Sequence, residues 1–296
     1  MTHARYFIAI VFVLATASAY AEDIQLNGAD AFQAAQKSTC GTTETQRTRY
    51  GIFEGRTYSR VPGEKDRLLF NVLGINVRHC GLITDDVRGR GFRSVSREIM
   101  VYMDPDSGEV IDTWLNPWTG KTIDVMHVAN DPVNMRAPRF ENDEDGAPSL
   151  TRNYRLYGDT LVSSAEIPLF YPNPLGGDYQ PYVGGTYHAM EIFNSFYDAE
   201  KMLDTNVASI GDSKLAWSRV AQWLPWLEMG NRAGLMVFNA TGFSTFDKDK
   251  IPTRLVEIMN ERYPEYWTPP PVNDARANET SWTVFKKKLA ATKDNE

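Results

Sequence analysis

The sequence predicts a mainly β protein with peripheral helices, built as an antiparallel up-and-down β-barrel, with a two-sheet sandwich as the alternative. Three observations predict it. Runs rich in β-branched and aromatic residues recur between turn signals. Several runs are apolar on both faces, as at Met100 and Met103, Trp114 and Leu115, and Val125 and Met126, which suits a wall around an apolar interior. Clear 3.6-residue periodicity is confined to the C-terminal region.

The chain opens with His3 and Arg5, an apolar run from Tyr6 to Ala17, and Ala19-Tyr20-Ala21, which fits the small-x-small cleavage rule. Residues 1–21 are therefore expected to be a signal peptide, residues 22–296 a single domain, and the location periplasmic or secreted. The apolar run is nearer a signal core than the ~20 residues of a spanning helix. No later segment is long and apolar enough to cross a bilayer, so no stable membrane insertion is expected after cleavage. The net charge of −7 is spread along the chain, which argues against nucleic acid as a partner. Nothing in the sequence sets an oligomeric state. Cys40 and Cys80 are a disulfide candidate in an oxidising compartment, with two separately buried thiols as the alternative.

Taken in order, Ala31 to Gln36 is a short helix candidate with Asn27 or Asp30 as its cap. Thr48 to Arg60 and Leu68 to His79 are strands across a Pro62–Asp66 turn, with Gly74 marking a bulge. Thr84 to Ser94 is expected to be loop. Ser96 to Val128 is the centre of the prediction: three strands (Ile99–Met103, Val110–Leu115, Thr122–Val128) joined by the Asp104–Gly108 and Asn116–Gly120 turns. Ala129 to Leu150 is a long acidic loop, a mobile flap or an ordered lid. Thr151 to Leu156 and Thr160 to Ile167 form a hairpin, and Pro168 to Gly185 is irregular. Thr186 to Tyr197 is an extended run that also fits a helical stripe. Leu215 to Trp223 and Gly234 to Phe243 complete the strands. A helix opens at Ile251-Pro252-Thr253 with Leu255, Ile258 and Met259 on one stripe and ends before Pro264. A last helix, capped by Thr280 or Ser281, runs through Leu289.

Three histidines remain once the leader is set aside: His79, His127 and His188. His127 and His188 are the catalytic candidates, because imidazole titrates nearest neutral pH. Both lie in strongly apolar stretches, where an unpaired imidazole is costly. They are expected to face one cavity with Trp114 or Trp226 in its wall. Asp124 and His127 fall on opposite faces of a regular strand. On the run from Thr186, His188, Met190, Ile192 and Asn194 share one face, and Tyr187, Glu191 and Phe193 the other. His188 and Asn194 are read as polar groups in a pocket wall, or as satisfied core residues. The ligand-binding candidates are Trp114, Trp118, Asn194, Trp223, Trp226 and Arg232, with core packing as the alternative for the tryptophans. No His-x-His or zinc-type spacing occurs, so no metal is expected. GxSxG, Walker A and a strand-GxGxxG-helix are absent too, so no cofactor is expected. Asn239-Ala240-Thr241 and Asn278-Glu279-Thr280 are glycosylation sequons.

Trp217 to Gly242, WSRVAQWLPWLEMGNRAGLMVFNATG, resembles the W-L-P-W-x-x-M-G-x-R-x-G region of an exported bacterial and fungal family known as a domain of unknown function. The pattern falls on Trp223, Leu224, Pro225, Trp226, Met229, Gly230, Arg232 and Gly234. The likeness extends across the meander and the Pro264–Trp267 segment and implies one coherent domain, without a reaction to carry over. The expected function is binding of a small hydrophobic or aromatic molecule in a barrel cavity. The alternative is an enzyme of isomerase, lyase or hydratase type working by His and carboxylate acid–base chemistry in that cavity. A surface or partner-binding structural protein stands third.

Overall fold

Backbone ladders gather most of the predicted strands into one antiparallel sheet. The computed structural model describes residues 21–44, 47–172 and 186–293; the expected leader and most of the Pro168–Gly185 segment lie outside the described residues. Strand β1 (Glu22–Asn27) begins at the residue after the expected cleavage site and pairs with β9 (Thr151–Tyr157). Helix α1 (Gly28–Cys40) follows, longer than the periodicity suggests, with Asn27 at its N-cap position and Gly41 closing it at φ 79°. Strands β2 (Arg49–Arg60), β3 (Arg67–Asp85) and β4 (Gly89–Met103) pair in turn. The stretch expected as loop at Thr84–Ser94 is instead the tip of the long β3–β4 hairpin: Asp86, Val87 and Arg88 are enough to reverse the strands, with Asp85 Oδ1 accepting from the Val87 and Arg88 amides.

The expected meander is corrected. Only its first strand pairs along its length in the large sheet; of the other two, Val110 makes a single bridge to Met103 and Val128 pairs with Met100. After Met103 the chain leaves the sheet and forms a small separate hairpin of β5 (Thr113–Leu115) and β6 (Thr122–Asp124). The turn chemistry holds: Asp104 Oδ1 accepts from the Asp106 and Ser107 amides, and Asn116 Oδ1 accepts from those of Trp118 and Thr119. The hairpin's Ile123, with Val125 and Met126 beyond it, packs onto the sheet, so their apolar faces are satisfied by stacking rather than by pairing. Strand β7 (Val128–Asn130) rejoins the edge of β4, as does β8 (Arg139–Phe140). The acidic loop is tied down there, with Arg90 on Glu141 and the Asn142 amide on the Arg88 carbonyl.

Strands β10 (Thr160–Pro172), β11 (Thr186–Asp198), β12 (Ser213–Ala221) and β13 (Leu235–Thr245) pair consecutively, and β13 joins β2. The path runs β1-β9-β10-β11-β12-β13-β2-β3-β4-β7, eleven strands with β8 included. Strand β4 lies five ladders from β11, roughly 24 Å across a flat sheet. Yet Glu98 of β4 interacts electrostatically with Glu191 of β11 and Arg219 of β12. The sheet is therefore strongly curled. It is not closed into a barrel, since no ladder among the described residues joins β1 or β9 to β7 or β8.

Side chains fill that gap. α1 sets Ala34 against Tyr154, Leu161 and Tyr197 on one side, and Phe32 and Ala35 against Cys80 and Phe92 on the other. The Cys40–Cys80 disulfide, with Cα atoms 5.8 Å apart, fixes the helix to β3. α4 (Ser281–Lys293) sets Trp282 edge-on to Tyr187 of β11 at 4.8 Å and reaches Asp124 of β6 through Lys288. The outward face of β2–β4 carries Ile52, Leu73, Ile75, Ile99 and Val101. It is covered by Leu255, Ile258 and Met259 of α3 (Thr253–Arg262) and by Tyr266. Burying each such side chain contributes about 1.5–3 kcal/mol. Gly74 is not a bulge. The register is regular through it, and the shift falls at Thr57/Tyr58. A Cβ at Gly74 would lie 2.3 Å from the Phe53 ring, so the missing side chain is the bed on which that cross-strand ring lies.

Candidate ligand cavity

Alternate residues of a strand point to opposite faces, and the curl turns one face of six adjacent strands inward. That face encloses a cavity of about 520 Å³, a volume typical of small-molecule sites. β2 contributes Arg49, Gly51 and Phe53; β3 Asn76 and Arg78; β4 Glu98 and Met100. Opposite them stand Glu191, Phe193, Ser195 and Tyr197 of β11 and Leu215, Trp217 and Arg219 of β12. Ser38 and Thr39 of α1 and Ser281 of α4 close it where the sheet does not. A larger groove of about 990 Å³ lies on the outward face beside Ile52, Thr241 and Phe243. Its charged residues, among them Glu54, Asp198 and Lys214, are all exposed.

The inner cavity is different because its charges are buried or half-buried, apart from the exposed Lys214 that it shares with the groove. Arg219 donates to Glu191 Oε1 at 3.0 Å and to the Tyr187 hydroxyl at 2.7 Å. Burial alone would pull Arg219 down, but Tyr187 and Glu191 outweigh it and hold the guanidinium above its usual range. Glu98 is bonded to Asn130; burial, then the charge of Glu191, pushes its carboxyl up. Burial and the neighbouring Arg78 push Arg49 down to about 10, which leaves it charged at neutral pH. Gly41 makes room for it: a Cβ there would meet the Arg49 guanidinium at 1.6 Å. Four polar atoms around the cavity, Arg78 Nε, Arg219 Nε, Trp217 Nε1 and Asn130 Oδ1, are buried without a hydrogen-bond partner. Such groups are uncommon in a finished core.

The expected site residues are placed elsewhere. His127 is buried, its side chain 8% exposed, and serves the edge of β4: its Nδ1 accepts from the Tyr102 amide at 3.1 Å. That bond sets the proton on Nε2, which faces Asp112 at 3.7 Å; Asp112 is itself held by Arg262 at 2.7 Å. His188 is exposed on the outward face of β11, edge-on to Phe170 at 4.6 Å. The shared cavity expected for the two imidazoles is therefore corrected. The partition of β11 into two faces is as read, but the wall is formed by Glu191 and Phe193, while His188 and Asn194 look outward, Asn194 accepting from Ser164 Oγ. Period-two alternation separates faces without saying which one the sheet will curl around.

The tryptophans pack against one another. Trp223 and Trp226 are buried; Trp118 lies 5.2 Å from Trp223 and 6.4 Å from Trp114, and Trp226 contacts Phe70 and Tyr102. Trp223 Nε1 donates to the Arg232 carbonyl, and the exposed Arg232 side chain donates to the Trp118 carbonyl. Fully buried Asn116 donates to the Leu227 carbonyl at 2.8 Å and so locks its turn onto this block. The cluster forms the floor beneath the cavity rather than its lining. No group of three or more His, Cys, Asp or Glu among the described residues could hold a metal ion. Sequence reasoning missed Arg49, Arg78, Glu98, Glu191, Arg219 and Tyr197. A signal was present: Glu98 shares its face with Met100 and Tyr102, and a carboxylate in register with core side chains marks a polar interior.

Fold and site together define a curled antiparallel sheet that holds a small-molecule-sized, internally charged cavity. Residues 46–289 match DUF1838, a family of proteins of unknown function, and the chain belongs to it. No curated protein matches the chain.

Proposed function

We propose that the protein is exported and binds a small hydrophobic or aromatic molecule in the hollow of an incomplete up-and-down barrel. The observation that carries this reading is the inner cavity, with Phe53, Met100, Phe193 and Trp217 along its apolar side. The disulfide suits an oxidising compartment, and no helix among the described residues is long and apolar enough to cross a membrane. The alternative built on His127 and His188 acting together is not carried forward, because one caps a strand edge and the other faces outward. The test uses N-phenyl-1-naphthylamine, a neutral dye that fluoresces in apolar surroundings. Saturable uptake of one dye per chain is expected. Ser244→Phe, which sets a ring opposite Gly51 across the ladder and fills the space, should abolish it without loss of fold. Absence of saturable uptake by the wild-type protein overturns the reading.

A further inference from the structure

The cavity is graded along its strands. The register places Arg49 opposite Arg78 at one end, Gly51 opposite Asn76 next, and Phe53 opposite Gly74 beyond. On the facing wall Phe193 lies opposite Trp217, their rings near-parallel at 6.3 Å. The Arg49–Arg78 end is basic, the aromatic rings follow, and the Arg219–Glu191 ion pair stands two residues further along the facing wall.

The basic end is short of negative charge. Arg219 has its carboxylate in Glu191, but Arg49 and Arg78 make no salt bridge among the described residues: Asp212 acts on Arg49 and Glu98 on Arg78 only electrostatically, without a hydrogen bond. Arg49 donates to the Gly211 carbonyl at 3.2 Å and to Ser213 Oγ at 2.8 Å. Arg78 donates to the Thr39 carbonyl at 3.2 Å and leaves Nε without a partner. Both guanidiniums, with Arg152, bear electrostatically on the buried Tyr197 hydroxyl. A guanidinium stays charged at neutral pH, and burying one without a counter-ion is costly. Its planar fork matches a carboxylate, and Arg is chosen where two parallel hydrogen bonds to such a group are needed. Glu98 is hydrogen-bonded to Asn130 and acts on Arg78 electrostatically, but it makes no salt bridge with Arg49 or Arg78 among the described residues. An inorganic ion would fill a small part of 520 Å³ and leave the aromatic rings unused.

Resting on the cavity-binding reading above, we propose that the guest is an aryl carboxylate, its carboxylate held by Arg49 and Arg78 and its ring lying against Phe53, Phe193 and Trp217. The register sets the order along the molecule: acid towards the end of α1, ring towards the tryptophan floor.

Calorimetric titration with matched pairs tests it, using benzoate and benzamide, 2-naphthoate and 2-naphthamide, and 4-phenylbutyrate and its amide. At least one acid is expected to bind about tenfold or more tightly than its amide, the scale of a charge-assisted hydrogen bond. Arg78→Met should erase that preference, and Arg78→Lys, which keeps the charge without the fork, should fall between. Equal binding of acids and amides by the wild-type protein overturns the carboxylate assignment while leaving the cavity reading intact. Binding of acetate or inorganic phosphate as tightly as the aryl acids overturns it too, because the ring then contributes nothing. If neither acids nor amides bind and the neutral dye is also refused, the cavity reading falls and takes this one with it. The wild-type comparison stands even if a variant fails to fold.

Discussion

His127 is held in one protonation state by its surroundings. Burial lowers its pKa more than Asp112 raises it, and Nδ1 must stay unprotonated to accept from the Tyr102 amide. As pH falls through the ordinary histidine range near 6.5, the unfolded chain takes up a proton that the folded chain refuses, so this contribution to stability is lost on acidification. His127→Asn keeps an acceptor near the Tyr102 amide and does not titrate. Urea midpoints between pH 8 and pH 5 should therefore fall less steeply for the variant than for the wild-type protein. Some slope persists in both, because burial pulls His79 down as well. Parallel curves would show that His127 protonates freely in the fold. What could be read from residues alone was the scarcity of histidine and the alternation of β11. The use of each histidine could not be read, because His127 answers to a backbone amide 25 positions away.

Among the elements, the C-terminal arm is the least embedded in the ladders and the most dependent on side chains. Outward arginines of β4 clasp it by its carbonyls: Arg93 holds those of Val272 and Asp274 at 3.1 and 2.7 Å, and Arg97 holds that of Glu265 at 2.8 Å and that of Thr268. Asn134 and Asn278 exchange hydrogen bonds, so the second glycosylation sequon has its amide already engaged. Arg93→Met should raise amide exchange across residues 264–289 while β2 to β4 keep their protection, at a cost of about 1–3 kcal/mol in local opening. Unchanged exchange in the arm would show that α3 and α4 hold it without the clasp. Helix α3 was legible from its stripe and its Pro264 stop, and most strands from composition and turns. The second and third meander strands were legible as a hairpin, but its separation from the large sheet was not. A hairpin that stacks on a sheet and a pair of strands that joins it share the same local sequence, and only the register of distant partners separates them.

For the whole molecule, mainly antiparallel β architecture was legible, and closure was not, because it depends on whether the last ladder forms. The pairing of β1 with β9 and of β7 with β4 leaves both edges occupied by short strands. The Cys40–Cys80 bond spans 40 residues of sequence, and a closed loop of that size stabilises by about 2–4 kcal/mol through the unfolded state. Cys40→Ser with Cys80→Ser should lower unfolding free energy by that amount and loosen α1, which supplies Ser38 and Thr39 to the cavity; an unchanged urea midpoint would show that α1 is held by its packing alone. The two helices that span the gap are thus unequal. One is stapled to β3, and the other is held by side chains such as Trp282 and Lys288. In a closed barrel a guest enters at the mouth, between the loops that join the strands. Here a swing of α4 would uncover the hollow with every rung of the ladder still in place. On the proposed binding reading, how long a guest stays and how hard the protein is to unfold would be set by different parts of the chain.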